Sequence, residues 1–464
     1  MGLAKITEID ISKQARALGW LRLSDYVLVF LCGYLFLEGL VTLLSGAFGQ
    51  WGSPDQIWAV VFLLPTTAIF FFAAYTGWRH VGVIDPTVWG AYRIIFPSLL
   101  VISVIGLPSV LLSRGTDPDT AADAETLAAA KSFILIASVA LLGWISLYRL
   151  RKAKIIGMGV TVKQLLSELT KSAGVSAASQ TDIKRINKPR GLVIGAAGIL
   201  ILMASALVPV LAPKATWAKL IYPAGSFLLL WARRYFQIDV DSLLAVDRRP
   251  PILFLRSFDD DEKQHYENPG KALLDFSLET RLSNHFLRFG PFVAIGSPKE
   301  PIPLPGAARV FLSDDEWQPK ILLWMKSAKV IIMYSGKTHW VNWELQKVLE
   351  NKCVTRLILI IPEVKDRRKS KRKAEISARV DRVQEVFKNT PWEKALLQLD
   401  DLTTLRAMLF HLDGTMVIIK SRSRSRDSYH FAALVAHQIL IRSGALNEED
   451  EKSGLTTAET LYGG

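Results

Sequence analysis

The first half of the chain repeats one pattern, long apolar runs separated by short polar connections, and this restricts the fold more than any other feature. A helix of about 20 apolar residues crosses the roughly 30 Å hydrocarbon core of a bilayer. Six stretches come near that length: Tyr26 to Phe48, Ile57 to Trp78, Ile94 to Ser113, Ser132 to Tyr148, Gly191 to Ala212 and Trp217 to Tyr235. The expectation is an N-terminal all-α transmembrane bundle of six helices over residues 26–236. Composition agrees, because 464 residues that are 50% hydrophobic and 21% charged are too apolar for an ordinary soluble chain.

Basic residues in the connections set the orientation, since lysine and arginine collect on the cytoplasmic side. Residues 1–25 carry Lys5, Lys13, Arg16 and Arg22 and read as an interfacial N-terminal segment, while Arg149 to Arg190 holds ten basic residues. Gln50 to Gln56 has none, and Arg114 to Lys131 is mostly acidic. Both termini and the loop 149–190 are therefore expected in the cytoplasm. The net charge of +13 follows from the same asymmetry, so the expected partner is the lipid bilayer and no specific nucleic acid. Glu38 is an ionisable group at bilayer depth, read either as a packing carboxyl or as part of a transport path. Two cysteines, Cys32 and Cys353, offer neither a disulfide framework nor metal-ligand spacing, and no metal is expected. Thr161 to Lys171 is amphipathic and suits a helix on the membrane surface or against a soluble domain.

From Pro250 the pattern changes to short apolar runs alternating with helical periodicity, which continues to residue 445. Alternation of this kind predicts a cytosolic α/β domain with a parallel sheet wound by helices on both faces. Ligands of such sheets sit beyond the carboxyl ends of the strands, where the strand order reverses. The candidates are therefore Ser257, Phe258, Asp259 and Asp260 after Ile252 to Arg256, and Ser335 after Val330 to Tyr334. Residues 446–464 are acidic, then small and polar, and are expected to be disordered.

The stretch from Lys329 to Glu350 reads as strand, polar turn and helix. At about 100° per residue, Val341, Leu345 and Val348 form one apolar stripe, with Trp340 and Glu344 a turn apart on its border. A half-shielded carboxylate there reads either as a functional acid of raised pKa or as the edge of the stripe. Ser335-Gly336-Lys337-Thr338 imitates the end of a phosphate-binding loop, but Ile331 stands where that loop needs its first glycine. Lys365 to Lys373 has seven basic residues in nine, without interleaved aromatics, which suits a solvated loop or anionic lipid better than nucleic acid.

Two passages carry a family resemblance. ILFLRSFDDD, from Ile252, resembles the first motif of Toll/interleukin receptor (TIR) domains, and WQPKILLWMKSAKVIIMYS with the later Trp340 and Glu344 resembles their helix, serine-ended strand, tryptophan and glutamate. The resemblance covers about Pro250 to Arg442 and implies a flavodoxin-like sheet in a divergent bacterial TIR-like domain. In enzymatic TIR domains a glutamate at the position of Glu344 cleaves the nicotinamide–ribose bond of NAD. The resemblance thus implies a NAD glycohydrolase for which NAD is substrate, with no cofactor. Glu344 would stabilise the oxocarbenium-like centre, Trp340 would stack on a substrate ring, and Ser257, Phe258, Asp259, Asp260 and Ser335 would shape the site. It also implies homo-oligomers through the TIR-like domain, a role in bacterial defence or signalling, and a place in the inner membrane. Ser297 to Gly306 keeps only Pro305-Gly306 of the assembly loop typical of the family. Two other readings stay open: an inactive, self-associating signalling scaffold, and a membrane sensor or channel regulated by the cytosolic domain.

Overall fold

The structure is a computed structural model that describes residues 6–24, 27, 93–101 except 95, 121–172, 188–211, 222–232, 235, 240–256, 278–296, and 306–445 except 314, 337, 363 and 365–367. These residues divide into two compact units. One comprises Met1–Arg16, Lys154–Gly195 and Leu229–Gly464; the other comprises Ala17–Ala153 and Ala196–Leu228.

The first unit is built on an eight-stranded sheet: β1 (Ile6–Asp10), β2 (Ile252–Leu255), β3 (Phe292–Gly296), β4 (Ala308–Phe311), β5 (Val330–Tyr334), β6 (Leu357–Ile360), β7 (Leu405–Phe410) and β8 (Met416–Lys420). Their order is β1-β8-β7-β6-β5-β2-β3-β4. The ILFL of β2, VIIMY of β5 and LILI of β6 are apolar on both faces because helices cover both, as parallel strands require. Strands β4, β3, β2, β5 and β6 run parallel. The chain winds from β2 outward to β3 and β4, then returns to β5 on the other side of β2. The strand order therefore reverses between β2 and β5.

The sheet is mixed, which corrects the expected parallel one. β7 runs antiparallel to both β6 and β8. The reason is local: β7 and β8 are joined through a tight turn closed by His411 N–H to Thr415 O at 2.9 Å, with Gly414 at φ +80°. A connection that short joins only antiparallel neighbours. A second correction concerns the N-terminus. Ile6–Asp10, expected in an interfacial segment, is an edge strand paired parallel to β8, with Glu8 held by Lys420 at 2.6 Å. A helix over 12–24 follows it.

Residues 154–172 return to this unit. Lys154 bridges Thr161, Ile156 bridges Asp10, and the turn between carries Gly157 and Gly159 at φ +95° and +67°. A Cβ on Gly157 would lie 2.5 Å from Glu8 O, so the close approach requires glycine. The helix Val162–Ser172 opens on a capping box, Thr161 N–H to Gln164 Oε1 at 2.8 Å and Gln164 N–H to Thr161 Oγ1 at 3.3 Å. It buries Val162, Leu165, Leu166 and Leu169, and its Glu168 takes a fork from Arg442 at 2.7 and 2.8 Å. Its amphipathic face thus lies against the α/β unit.

In the second unit the helix Ala121–Lys152 contains Ile134–Lys152, among the described residues the one stretch long and apolar enough to cross a membrane. Arg149, Arg151 and Lys152 close it. Gly143 lets Phe96 approach, since a Cβ there would meet the ring at 2.5 Å. The expected six-helix bundle is overturned. Tyr26 to Phe48, Ile57 to Trp78 and most of Ile94 to Ser113 lie outside the described residues. Gly191 to Ala212 falls on Lys188–Leu211, whose apolar part, Pro189–Leu202, is short of a span. Trp217 to Tyr235 yields the helix Tyr222–Ala232, whose 11 residues reach about 16 Å. Apolar run length is a necessary condition for a span and not a sufficient one. Residues 446–464 and Glu38 also lie outside the described residues.

Candidate functional site

The edge of interest is the carboxyl side of β2 and β5, where the strand order reverses. Past β5 the backbone stays in the sheet one residue longer, with Ser335 N–H donating to Ile360 O at 2.8 Å. The turn is then gripped from the helix Lys369–Val386: Arg379 donates to Ser335 O, and Arg382 donates to Gly336 O at 3.2 Å. Ser335 Oγ donates to Arg379 O at 3.5 Å. Ser335 is thus buried and helps to hold the turn. Arginines captured from 44 and 46 residues away left no local signal in the sequence.

The turn releases the helix His339–Glu350, which places Val341, Glu344, Leu345 and Val348 inside. Glu344 is 6% exposed and sits within the apolar stripe instead of on its border. Its Oε2 is shielded from solvent and has no hydrogen-bond partner among the described residues. Burial alone raises its carboxyl to about 8, so the group is neutral at pH 7. An uncompensated buried acid costs stability, and such groups concentrate where a ligand later supplies the missing partner. Trp340 points elsewhere: it is 43% exposed, edge-on to Trp317 at 5.0 Å and tilted against His339 at 4.2 Å. Trp343 joins the same ring group through Trp317 at 5.2 Å. Glu344 and Trp340 are therefore one turn apart on the helix, one buried and one exposed.

Past β2 lies a second buried cluster that sequence reasoning missed. Glu279, in the first turn of the helix Leu278–Phe286, receives Arg309 Nη2 at 2.7 Å on both oxygens, Arg256 Nη1 at 3.0 Å and the Ala307 N–H at 2.9 Å. Burial pushes its carboxyl up, but Arg256, Arg309 and the Ala307 amide together outweigh this and hold it below the usual carboxylate range. A Cβ at Gly306, whose φ is +155°, would lie 2.6 Å from Glu279 Oε1. Arg256 immediately precedes Ser257, so the cluster fixes the point at which the chain leaves β2. Ser257, Phe258, Asp259 and Asp260 themselves lie outside the described residues. The same helix faces Arg426–Arg442 through Arg281 to Asp427 at 2.8 Å and His285 to His437 at 3.3 Å. Burial keeps both histidines neutral, His437 at about 3. Among the described residues no group of three or more histidine, cysteine or acidic side chains is arranged to hold a metal. No protein-family model, curated protein or solved structure matches the chain.

Proposed function

We propose that this chain is a membrane-anchored, TIR-like NAD glycohydrolase of the bacterial inner membrane, with Glu344 as its catalytic carboxylate. One observation carries the reading: a buried acid whose Oε2 has no partner among the described residues, on the helix that leaves the central strand at the reversal of strand order. A fold gains nothing in stability from such a group. Its use lies in chemistry, where a carboxylate beneath a ribose stabilises or traps the oxocarbenium-like centre formed as the C–N bond to nicotinamide breaks. Nicotinamide departs as a neutral group with the bond's electron pair, so a strong general acid is unnecessary, and water completes the sugar. Trp340 offers the flat face on which a substrate ring stacks.

The apolar Ile134–Lys152 supports the anchor. Confinement at a membrane raises the effective concentration of the domains and favours homo-oligomers. Defence or signalling by NAD depletion is the biological role that follows. The test is NAD turnover by the full-length protein in nanodiscs at high density. Glu344→Ala is expected to reduce it at least ~100-fold. Equal turnover in both proteins, or none in a folded and clustered wild type, rejects the assignment.

A further inference from the structure

Three segments far apart in the sequence meet at one corner of the α/β unit, where β1 and β8 end side by side. Ile11 N–H donates to Lys420 O at 3.0 Å, and Arg422 N–H donates to Ser12 Oγ at 2.8 Å. Gln14 Nε2 donates to Lys154 O at 2.7 Å, and Ile156 bridges Asp10. Lys154 stands two residues beyond the helix Ala121–Lys152, which is at most about 7 Å of chain. Lys13, Arg16, Lys154, Arg422 and Arg424 are all exposed at this corner. The acids beside them are engaged: Asp10 accepts the Ser12 N–H and O–H, while Lys420 meets Glu8 at 2.6 Å and Asp400 at 3.4 Å.

The helix over 12–24 gives a second, independent indication. Lys13, Arg16, Trp20 and Leu23 are all exposed and fall within about 80° of arc at 100° per residue. One face of this helix therefore changes from basic to aromatic to aliphatic along its length. A bilayer changes in the same order, from charged headgroups through the interface to hydrocarbon. Nucleic acid would match the charges but not the exposed aliphatic end.

We infer that this corner is a docking surface for anionic phospholipid headgroups, contacted by Lys13, Arg16, Lys154, Arg422 and Arg424. The inference rests on the membrane anchor proposed above and is independent of the chemistry at Glu344. Each basic residue close to an anionic leaflet strengthens association by about fivefold. The short connection from Lys152 keeps Lys154 within the roughly 10 Å over which charges act at 0.1 M salt. The basic end of the apolar helix, Arg149, Arg151 and Lys152, places the same leaflet on the cytoplasmic side.

Hydrogen exchange of the full-length protein tests the surface in nanodiscs of phosphatidylcholine alone and of phosphatidylcholine with phosphatidylglycerol. Exchange over residues 12–16 and 421–426 is expected to slow at least ~5-fold when phosphatidylglycerol is present, and the slowing is expected to vanish in 1 M salt. The fourfold variant K13Q/R16Q/R422Q/R424Q is expected to exchange equally in both lipids, with β8 protected as in wild type. Equal exchange of wild type in both lipids, or a lipid effect that survives in the variant, overturns the inference. So does equal slowing by duplex RNA in phosphatidylcholine discs, which assigns the surface to nucleic acid. Retention of wild type in liposomes through an alkaline carbonate wash keeps the anchor standing in each of these cases, whereas its extraction overturns the anchor and the docking surface together.

Discussion

Two buried glutamates in one α/β unit have opposite electrostatic fates. Glu279 follows β2 in the chain, is met by Arg256, Arg309 and the Ala307 amide, and is held ionised. Glu344 follows β5, has an Oε2 without a hydrogen-bond partner among the described residues, and is held neutral. Their burial is nearly the same, 4% and 6% exposed. The difference teaches that burial alone does not determine the state of a carboxyl group. What decides is whether the tertiary structure brings positive charge to it. By that criterion Glu279 belongs to the framework, and Glu344 is the acid on which the proposed chemistry rests.

Removing the framework carboxylate should break the comparison most severely. Glu279→Ala leaves two buried guanidinium groups facing a gap, and urea denaturation should show a loss of about 3–5 kcal/mol. Since its folded pKa is lowered, the stability that Glu279 contributes is present above the unfolded value of 4.5 and is lost as pH falls through the folded value, so Glu279 adds acid lability.

Glu344 should behave in the opposite sense. Its folded pKa of about 8 lies above the unfolded 4.5, so its contribution is complete below 4.5 and is lost as pH rises toward 8. The slope is roughly 1.4 kcal/mol per pH unit at most. Glu344→Leu removes that slope. The midpoint advantage of the variant over wild type should therefore widen by about 2–3 kcal/mol between pH 5 and pH 7. A constant difference across that range would mean that Glu344 has a partner.

The smallest effect concerns the segment 154–172, which contributes packing and a surface fork to the same unit. Glu168→Ala removes a half-exposed pair with Arg442 and should cost less than about 1 kcal/mol. Hydrogen exchange should nevertheless speed up in Val162–Ser172, while the sheet keeps its protection.

Much of the sheet was legible because its signal is short-range. ILFL, VIIMY and LILI are strands by composition, and the helix bearing Glu344 is visible in the spacing of Val341, Leu345 and Val348. β7 was not legible, since Arg406 interrupts its apolar run. That side chain is buried because Thr403 O, Leu405 O and Ser423 O accept its donors. β1 was hidden for another reason: an alternating ITEID before a long apolar region has no visible partner until β8, some four hundred residues later, lies beside it. The bundle failed because an apolar run of given length does not by itself specify a membrane span.

The candidate site divides in the same way. From residue order alone followed the apolar strands, the reversal-edge logic and the choice of Glu344 as the acid to watch. Only the tertiary structure decided that Ser335 is a hydrogen-bonded part of the turn, that Trp340 is exposed, and that Glu344 is neutral while Glu279 is charged. Periodicity is set by neighbours a few residues apart, and a sequence displays those. A buried group's charge is set by what reaches it from distant segments, as Arg309 reaches Glu279 across 30 residues while no described residue bonds Glu344 Oε2.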